Sequence, residues 1–203
     1  MHAIFRETRV IPVVTIERAA DAVPLARALA RGGLNVIEVT LRTPAAPSAI
    51  AAIARDVPEV VVGAGTILRD SDISRALAAG ARFLVSPGLT PELAAAGLAS
   101  EVPYVPGAIT PSEIIAAREL GFSFLKFYPA AGAGGVSTLR NYGLVFSGTV
   151  FCPTGGVTGE NAREYLALPN VPLVGGAWMA TPEAIAAGDW VGITERARSA
   201  ANG

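Results

Sequence analysis

Histidine and cysteine are nearly absent from this chain of 203 residues, which has one of each: His2 and Cys152. One cysteine excludes an internal disulfide framework. One histidine, beside the N-terminus, excludes an imidazole triad and a histidine-based zinc site. Acidic residues do not gather in the apolar runs as a divalent-cation cage would require, so no carboxylate metal site is expected. Charge is scarce as well. Charged residues make up 16% of the chain and the formal net charge is −1, which argues against nucleic-acid binding through a basic face. No secretory signal is evident, because Arg6, Glu7 and Arg9 interrupt the start of the chain. The longest uncharged stretch, 141–159, is broken by Gly143, Gly148, Pro153, Gly155 and Gly156, and would span a membrane poorly. The expectation is a soluble, cytoplasmic protein.

Lysine is equally rare. Of the 16 basic residues only Lys126 is a lysine, and it stands in an apolar run, Phe124-Leu125-Lys126-Phe127-Tyr128-Pro129-Ala130. Biased genome composition explains the missing lysines but not the one retained. Arginine stays protonated near neutral pH and cannot serve as an amine nucleophile, whereas a desolvated lysine can. A lysine whose stem packs while its head reaches water is the plainer alternative.

What is abundant is apolar: 51% of residues are hydrophobic, enough for a large core. Short β-branched runs alternate with helical stretches along the whole chain. Strands are expected at 10–16, 35–41, 60–64, 82–86, 103–105, 123–128, 149–152 and 171–174. Helices are expected at 21–31, 45–55, 70–79, 91–98, 111–120, around 136–142, at 160–168 and towards 201. Thr43-Pro44, Thr90-Pro91, Thr110-Pro111 and Thr181-Pro182 each place a capping hydroxyl before a proline suited to a first helical turn, and Thr110 with Glu113 fits a capping box. Eight strand–helix units with no linker predict one α/β domain over residues 1–203, a (β/α)8 TIM barrel. An open doubly wound sheet is less favoured, because no GxGxxG follows the first strand.

In such a barrel, chemistry sits at the carboxyl ends of the strands. Alternation along the second strand puts Glu38, Thr40 and Arg42 on one face, opposite Ile37, Val39 and Leu41. The aliphatic set belongs against the helices, so the polar set faces inward. Phe124, Lys126 and Tyr128 share a face on the sixth strand. An amine and a carboxylate then meet in a desolvated interior, as imine chemistry requires. A Glu–Arg or Glu–Lys pair that only holds the fold together is the alternative. Gly63-Ala64-Gly65-Thr66 ends the third strand, where backbone N–H groups and a hydroxyl can meet an anion or simply form a tight turn. Thr154-Gly155-Gly156 and Gly175-Gly176 follow the seventh and eighth strands, where these barrels often bind phosphate. Cys152 and Trp178 are expected to pack.

Six pieces, in order, resemble the class I 2-keto-3-deoxy-6-phosphogluconate (KDPG) aldolases, which overlap with the 4-hydroxy-2-oxoglutarate aldolases. They are GGLNVIEVTLRTP from Gly32, VVGAGTIL from Val61, VSPGLT from Val85, FLKFYPA from Phe124, FCPTGG from Phe151 and VGGAW from Val174. The resemblance implies a cofactor-free barrel, usually a homotrimer. It implies Lys126 as the Schiff-base lysine and Glu38 as general acid/base. Arg42 and Thr66 would hold the substrate carboxylate, and Pro87 and Tyr128 would line the pyruvate pocket. Thr154, Gly155, Gly156, Gly175 and Gly176 would surround the phosphate. Ala177 departs from a serine common in the family, Tyr128 from a phenylalanine and Ala131 from a glutamate.

The activity so implied is reversible cleavage of KDPG to pyruvate and glyceraldehyde 3-phosphate. Alternatives on the same imine chemistry are cleavage of 4-hydroxy-2-oxoglutarate and decarboxylation of oxaloacetate. A sugar-phosphate-binding sensor with no turnover is the non-enzymatic alternative.

Overall fold

The computed structural model describes residues 2–203. Eight strands are formed among them: β1 (Val10–Val14), β2 (Val36–Thr40), β3 (Val61–Gly65), β4 (Leu84–Val85), β5 (Tyr104–Val105), β6 (Phe124–Phe127), β7 (Val150–Pro153) and β8 (Val174–Gly176). The helices between and after them are α1 (Ala22–Arg31), α2 (Ala46–Asp56), α3 (Asp70–Ala78), α4 (Pro91–Ala99), α5 (Pro111–Glu119), α6 (Gly135–Val145), α7 (Ala162–Leu166), α8 (Pro182–Ala186) and α9 (Trp190–Asn202). None of the described helices is long and apolar enough to cross a membrane.

The strands pair in parallel throughout, as a six-stranded sheet in the order β5-β4-β3-β2-β1-β8 and a separate β6-β7 pair. Single bridges join the two sheets at each side, Gly107 to Lys126 and Thr154 to Gly175. The expected eight-stranded sheet is therefore continuous over six strands only. Proline accounts for part of the interruption: Pro106 and Pro153 lack the N–H a longer ladder would use. Pro106 can only accept, and does so from the Lys126 N–H at 2.8 Å.

Alternation sorts the side chains as the sequence predicts. Ile37, Val39, Leu125 and Phe127 lie in the larger apolar cluster between strands and helices. Val36, Ile11, Phe83, Val85, Val105, Cys152 and Leu173 form a second cluster on the inner face, joined by Phe5 from a 3-10 turn at Ala3–Phe5. The Phe5 ring meets Phe83 and Phe124 edge-on, with centroids 5.3 and 5.4 Å apart. This plug closes the N-terminal end of the strands, and truncating such a phenylalanine costs about 3–5 kcal/mol.

Three of the four Thr-Pro caps form: Thr90, Thr110 and Thr181 accept from Leu93, Glu113 and Ala184 N–H, and the Thr110–Glu113 capping box is complete. Thr43 does not cap. Its hydroxyl donates to the Ile16 carbonyl at 2.6 Å, and α2 starts three residues later, with Pro47 in its first turn. The last strand also lies further along than expected, at 174–176 rather than 171–174. Pairing of Val10, Ile11 and Pro12 with Val174, Gly175 and Gly176 overrides the weak strand preference of glycine.

Candidate active site

Register aligns the two key strands with different neighbours. Glu38 on β2 stands level with Val13 of β1 and Gly63 of β3. Lys126 on β6 stands level with Cys152 of β7. Both side chains reach inward, and Lys126 Nζ donates to Glu38 Oε1 at 3.1 Å, with 7% and 5% of the two side chains exposed. Lys126 Nζ also lies 5.5 Å from the centroid of the Tyr128 ring, whose π-face favours a cation. An ion pair this dry is costly unless its geometry is good. It sits above the inner apolar cluster, which keeps water from below.

The carboxylate has room because position 65 lacks a side chain. A Cβ on Gly65 would collide with Glu38 Oε1, and one on Gly63 with the Phe83 ring. The glycines of β3 thus make space for the acid and for the plug beneath it.

A cavity of about 380 Å³ opens over Lys126, and Glu38 is outside its lining. Of the residues the sequence singled out, Lys126, Arg42, Tyr128, Thr154, Gly155, Gly156 and Gly176 line it. Thr66 is tied in through Arg42, whose Nε donates to Thr66 Oγ1 at 3.2 Å. Arg42 lies past the end of β2 and is exposed, and no described acidic group pairs with it. Its remaining N–H groups are free for a planar anion. Thr66 adopts φ 61°, a left-handed conformation rare for a β-branched residue and typical of ligand sites.

Gly155 and Gly156 turn at φ 89° and 80°, where a side chain would be strained. A Cβ at 155 would crowd the Tyr128 ring, and one at 156 would strike Ala131. Gly175 lies buried beside Thr154, with no space for a Cβ against the Thr154 hydroxyl. Backbone N–H groups at such turns suit phosphate. Pro87 is outside the cavity lining. It follows β4 and turns its carbonyl towards Gly107, in a loop held by Ser86, which donates to the Gly88 carbonyl at 2.5 Å and bonds the Tyr104 hydroxyl at 2.7 Å.

Cys152 is buried in the inner cluster as expected. Burial pushes its thiol up to about 12, against the opposing pull of the Lys126 amine and the Thr154 hydroxyl. Trp178 packs against the outer cluster and also lines the cavity. The sequence reading passed over Val13 and Thr15, which line it too. The alternation that revealed Glu38 would have shown Ile11, Val13 and Thr15 sharing a face. A second cavity, of about 400 Å³, lies at the other end of the strands among Arg6, Arg9, Gly33 and Asn35, away from the ion pair. No group of three or more His, Cys, Asp or Glu that could hold a metal occurs among the described residues.

Comparison with known proteins decides the family. The profile described as "KDPG and KHG aldolase" matches residues 1–196. The chain belongs to the KDPG and KHG aldolase family. Within that family it is 44% identical over 200 residues to the 2-dehydro-3-deoxy-phosphogluconate aldolase of Pseudoalteromonas atlantica, covering 98% of this chain and 93% of that protein. It is 45% identical to the KHG/KDPG aldolase of Escherichia coli K12, covering 96% and 91%. The crystal structure of the KDPG aldolase from Legionella pneumophila, holding pyruvate as a covalent carbinolamine intermediate, superposes with a TM-score of 0.94 at 45% identity, over 97% of this chain and 95% of that one.

Proposed function

We propose that this protein is a class I aldolase that reversibly cleaves KDPG to pyruvate and glyceraldehyde 3-phosphate. The observation that carries the reading is the Lys126–Glu38 contact: the chain's one lysine, buried, hydrogen-bonded to one acid at 3.1 Å at the floor of an open cavity. Passing a proton along that bond leaves a free amine beside a neutral acid. The amine adds to the C2 ketone, and Glu38 returns the proton to the carbinolamine hydroxyl, which departs as water. The resulting iminium accepts the electron pair of the C3–C4 bond as the Glu38 carboxylate takes the C4 hydroxyl proton. The aldehyde leaves, Glu38 protonates C3 of the enamine, and water releases pyruvate.

Arg42 and Thr66 hold the substrate carboxylate, and Tyr128 and Pro87 bound the pyruvate end. Thr154, Gly155, Gly156, Gly175 and Gly176 receive the phosphate. Ala177 contributes no hydroxyl there, so backbone N–H groups carry that grip. No step calls for a metal or organic cofactor. The name of the Escherichia coli relative includes KHG, which supports 4-hydroxy-2-oxoglutarate as a second substrate. The two single bridges support closure of all eight strands into one barrel. The β1–β8 pairing, and the Thr194 hydroxyl on α9 donating to the Ala28 carbonyl on α1 at 2.9 Å, support one domain over 1–203. Exposed Leu144, Val145 and Val191 support a homotrimer that buries apolar surface.

Borohydride reduction in the presence of pyruvate, followed by peptide mapping, tests the assignment. The expected product is a pyruvyl adduct on Lys126, lost in Lys126→Arg. Glu38→Gln is expected to slow C–C cleavage far more than imine formation. An adduct confined to the N-terminal amine refutes the mechanism.

A further inference from the structure

We infer that Thr15 is a specificity residue that accepts a hydrogen bond from the hydroxyl of the departing aldehyde, on the carbon next to the one that reacts. This rests on the aldolase reading above and decides which of its substrates the site favours.

Thr15 follows β1 and lies on the inward face after Ile11 and Val13, lining the cavity with Thr40, Arg42 and Lys126. In the sheet, β1 stands between β2, which carries the acid, and β8, which carries Gly175–Gly176. A substrate whose reacting carbons lie at Glu38 and Lys126, and whose far end reaches the glycine turns of 155–156 and 175–176, passes Thr15 between the two.

The polarity of the hydroxyl follows from its partners. Thr40, itself buried, donates its single proton to the Val14 carbonyl at 3.2 Å. With the Thr40 proton on that carbonyl, the 2.9 Å contact between the Thr40 and Thr15 hydroxyls, which either oxygen could donate, is donated by Thr15. That spends the only proton Thr15 has, leaving its oxygen an acceptor towards the cavity. An acceptor at that place binds an O–H and opposes an anion. Glyceraldehyde 3-phosphate presents an O–H beside its aldehyde carbon, whereas glyoxylate presents a carboxylate there. Thr15 thus tilts the site towards hydroxylated chains and against the shorter dicarboxylic substrate.

The test is a cycle between enzyme and substrate. Pyruvate is added to D-glyceraldehyde 3-phosphate, and to the same aldehyde without the hydroxyl, 3-oxopropyl phosphate, by the wild type, Thr15→Val and Thr15→Ser. Valine keeps the shape, and Thr40 retains the Val14 carbonyl as its acceptor. The expected drop in kcat/KM for Thr15→Val is about tenfold on the hydroxylated aldehyde, at least about fivefold more than on the deoxy analogue, with serine restoring it. Equal drops on both aldehydes, or no drop on either, overturn the inference while leaving the aldolase reading intact. A wild type that forms no pyruvate adduct and turns over neither aldehyde overturns the aldolase reading, and this inference falls with it.

Discussion

Gly65→Ala puts the proposed chemistry under the most direct test, because it displaces Glu38 without altering either side chain assigned to the chemistry. Gly65 does not need a positive φ, so alanine fits the backbone; what it lacks is space. The added Cβ would overlap Glu38 Oε1, with the Glu38 Cδ and Cγ also well inside the 3.4 Å at which ordinary contact begins. The carboxylate must swing away by roughly 1 Å or more, an off-rotamer move costing of order 0.5–1.5 kcal/mol. It leaves a bond to Lys126 that is 3.1 Å long. Misplacement on this scale costs about 10²-fold in rate, or about 2.7 kcal/mol of barrier. Pyruvate release from KDPG, followed through lactate dehydrogenase and NADH, reads the loss in kcat. Borohydride trapping reports whether the imine still forms. Gly88→Ala is the control, because a Cβ there meets nothing within 4 Å. A Gly65→Ala enzyme within about twofold of wild type in kcat would refute the claim that Glu38 acts from this position.

Cys152, with its thiol pushed up to about 12, is expected to resist iodoacetamide at pH 8 in the folded protein and to react fully in guanidinium chloride. Mass spectrometry reads the adduct, and rapid labelling of the native state would contradict the buried placement. Glu113→Ala is expected to cost about 0.5–1 kcal/mol at neutral pH by opening the capping box of α5. Hydrogen bonds from the Thr110 and then the Ile109 N–H hold the Glu113 carboxyl below its ordinary range. Its contribution is therefore complete above the unfolded value of about 4.3 and fades as pH falls through the lower folded value. The Tm gap between wild type and variant should be widest near neutrality and close in acid, and a gap unchanged at about pH 3 would count against this role.

Glu38 and Lys126 were legible in the sequence because a strand's two-residue period fixes which side chains share a face, and both interrupt aliphatic runs. Thr90, Thr110 and Thr181 were legible because a cap is local. Thr43 was misread because its hydroxyl is claimed by Ile16, 27 residues away, and no short window contains that competition. The steric role of Gly65 was invisible for the same reason: the atom it makes room for belongs to another strand. β8 was misplaced because cross-strand pairing, not propensity, sets its ends. Thr15 could have been read from alternation, but nothing in the sequence gives the direction of its hydrogen bond.

The inner apolar cluster links stability to chemistry. Phe5, Phe83 and Val36 fill the space under Glu38, and Cys152 is level with Lys126. Their packing closes one end of the strands and also removes the water that would otherwise screen the acid and the amine. In water a unit-charge pair 4 Å apart gains only about 1 kcal/mol, and at an effective dielectric near 20 about 4. A bond of 3.1 Å at the dry floor of the cavity is thus strong enough to orient the amine, yet short enough to pass its proton. A wetter floor would weaken that orientation before it unfolded the protein. Loosening the Phe5 plug should therefore show itself in the efficiency of imine formation as well as in Tm, although such a change alters neither of the two groups assigned to the chemistry.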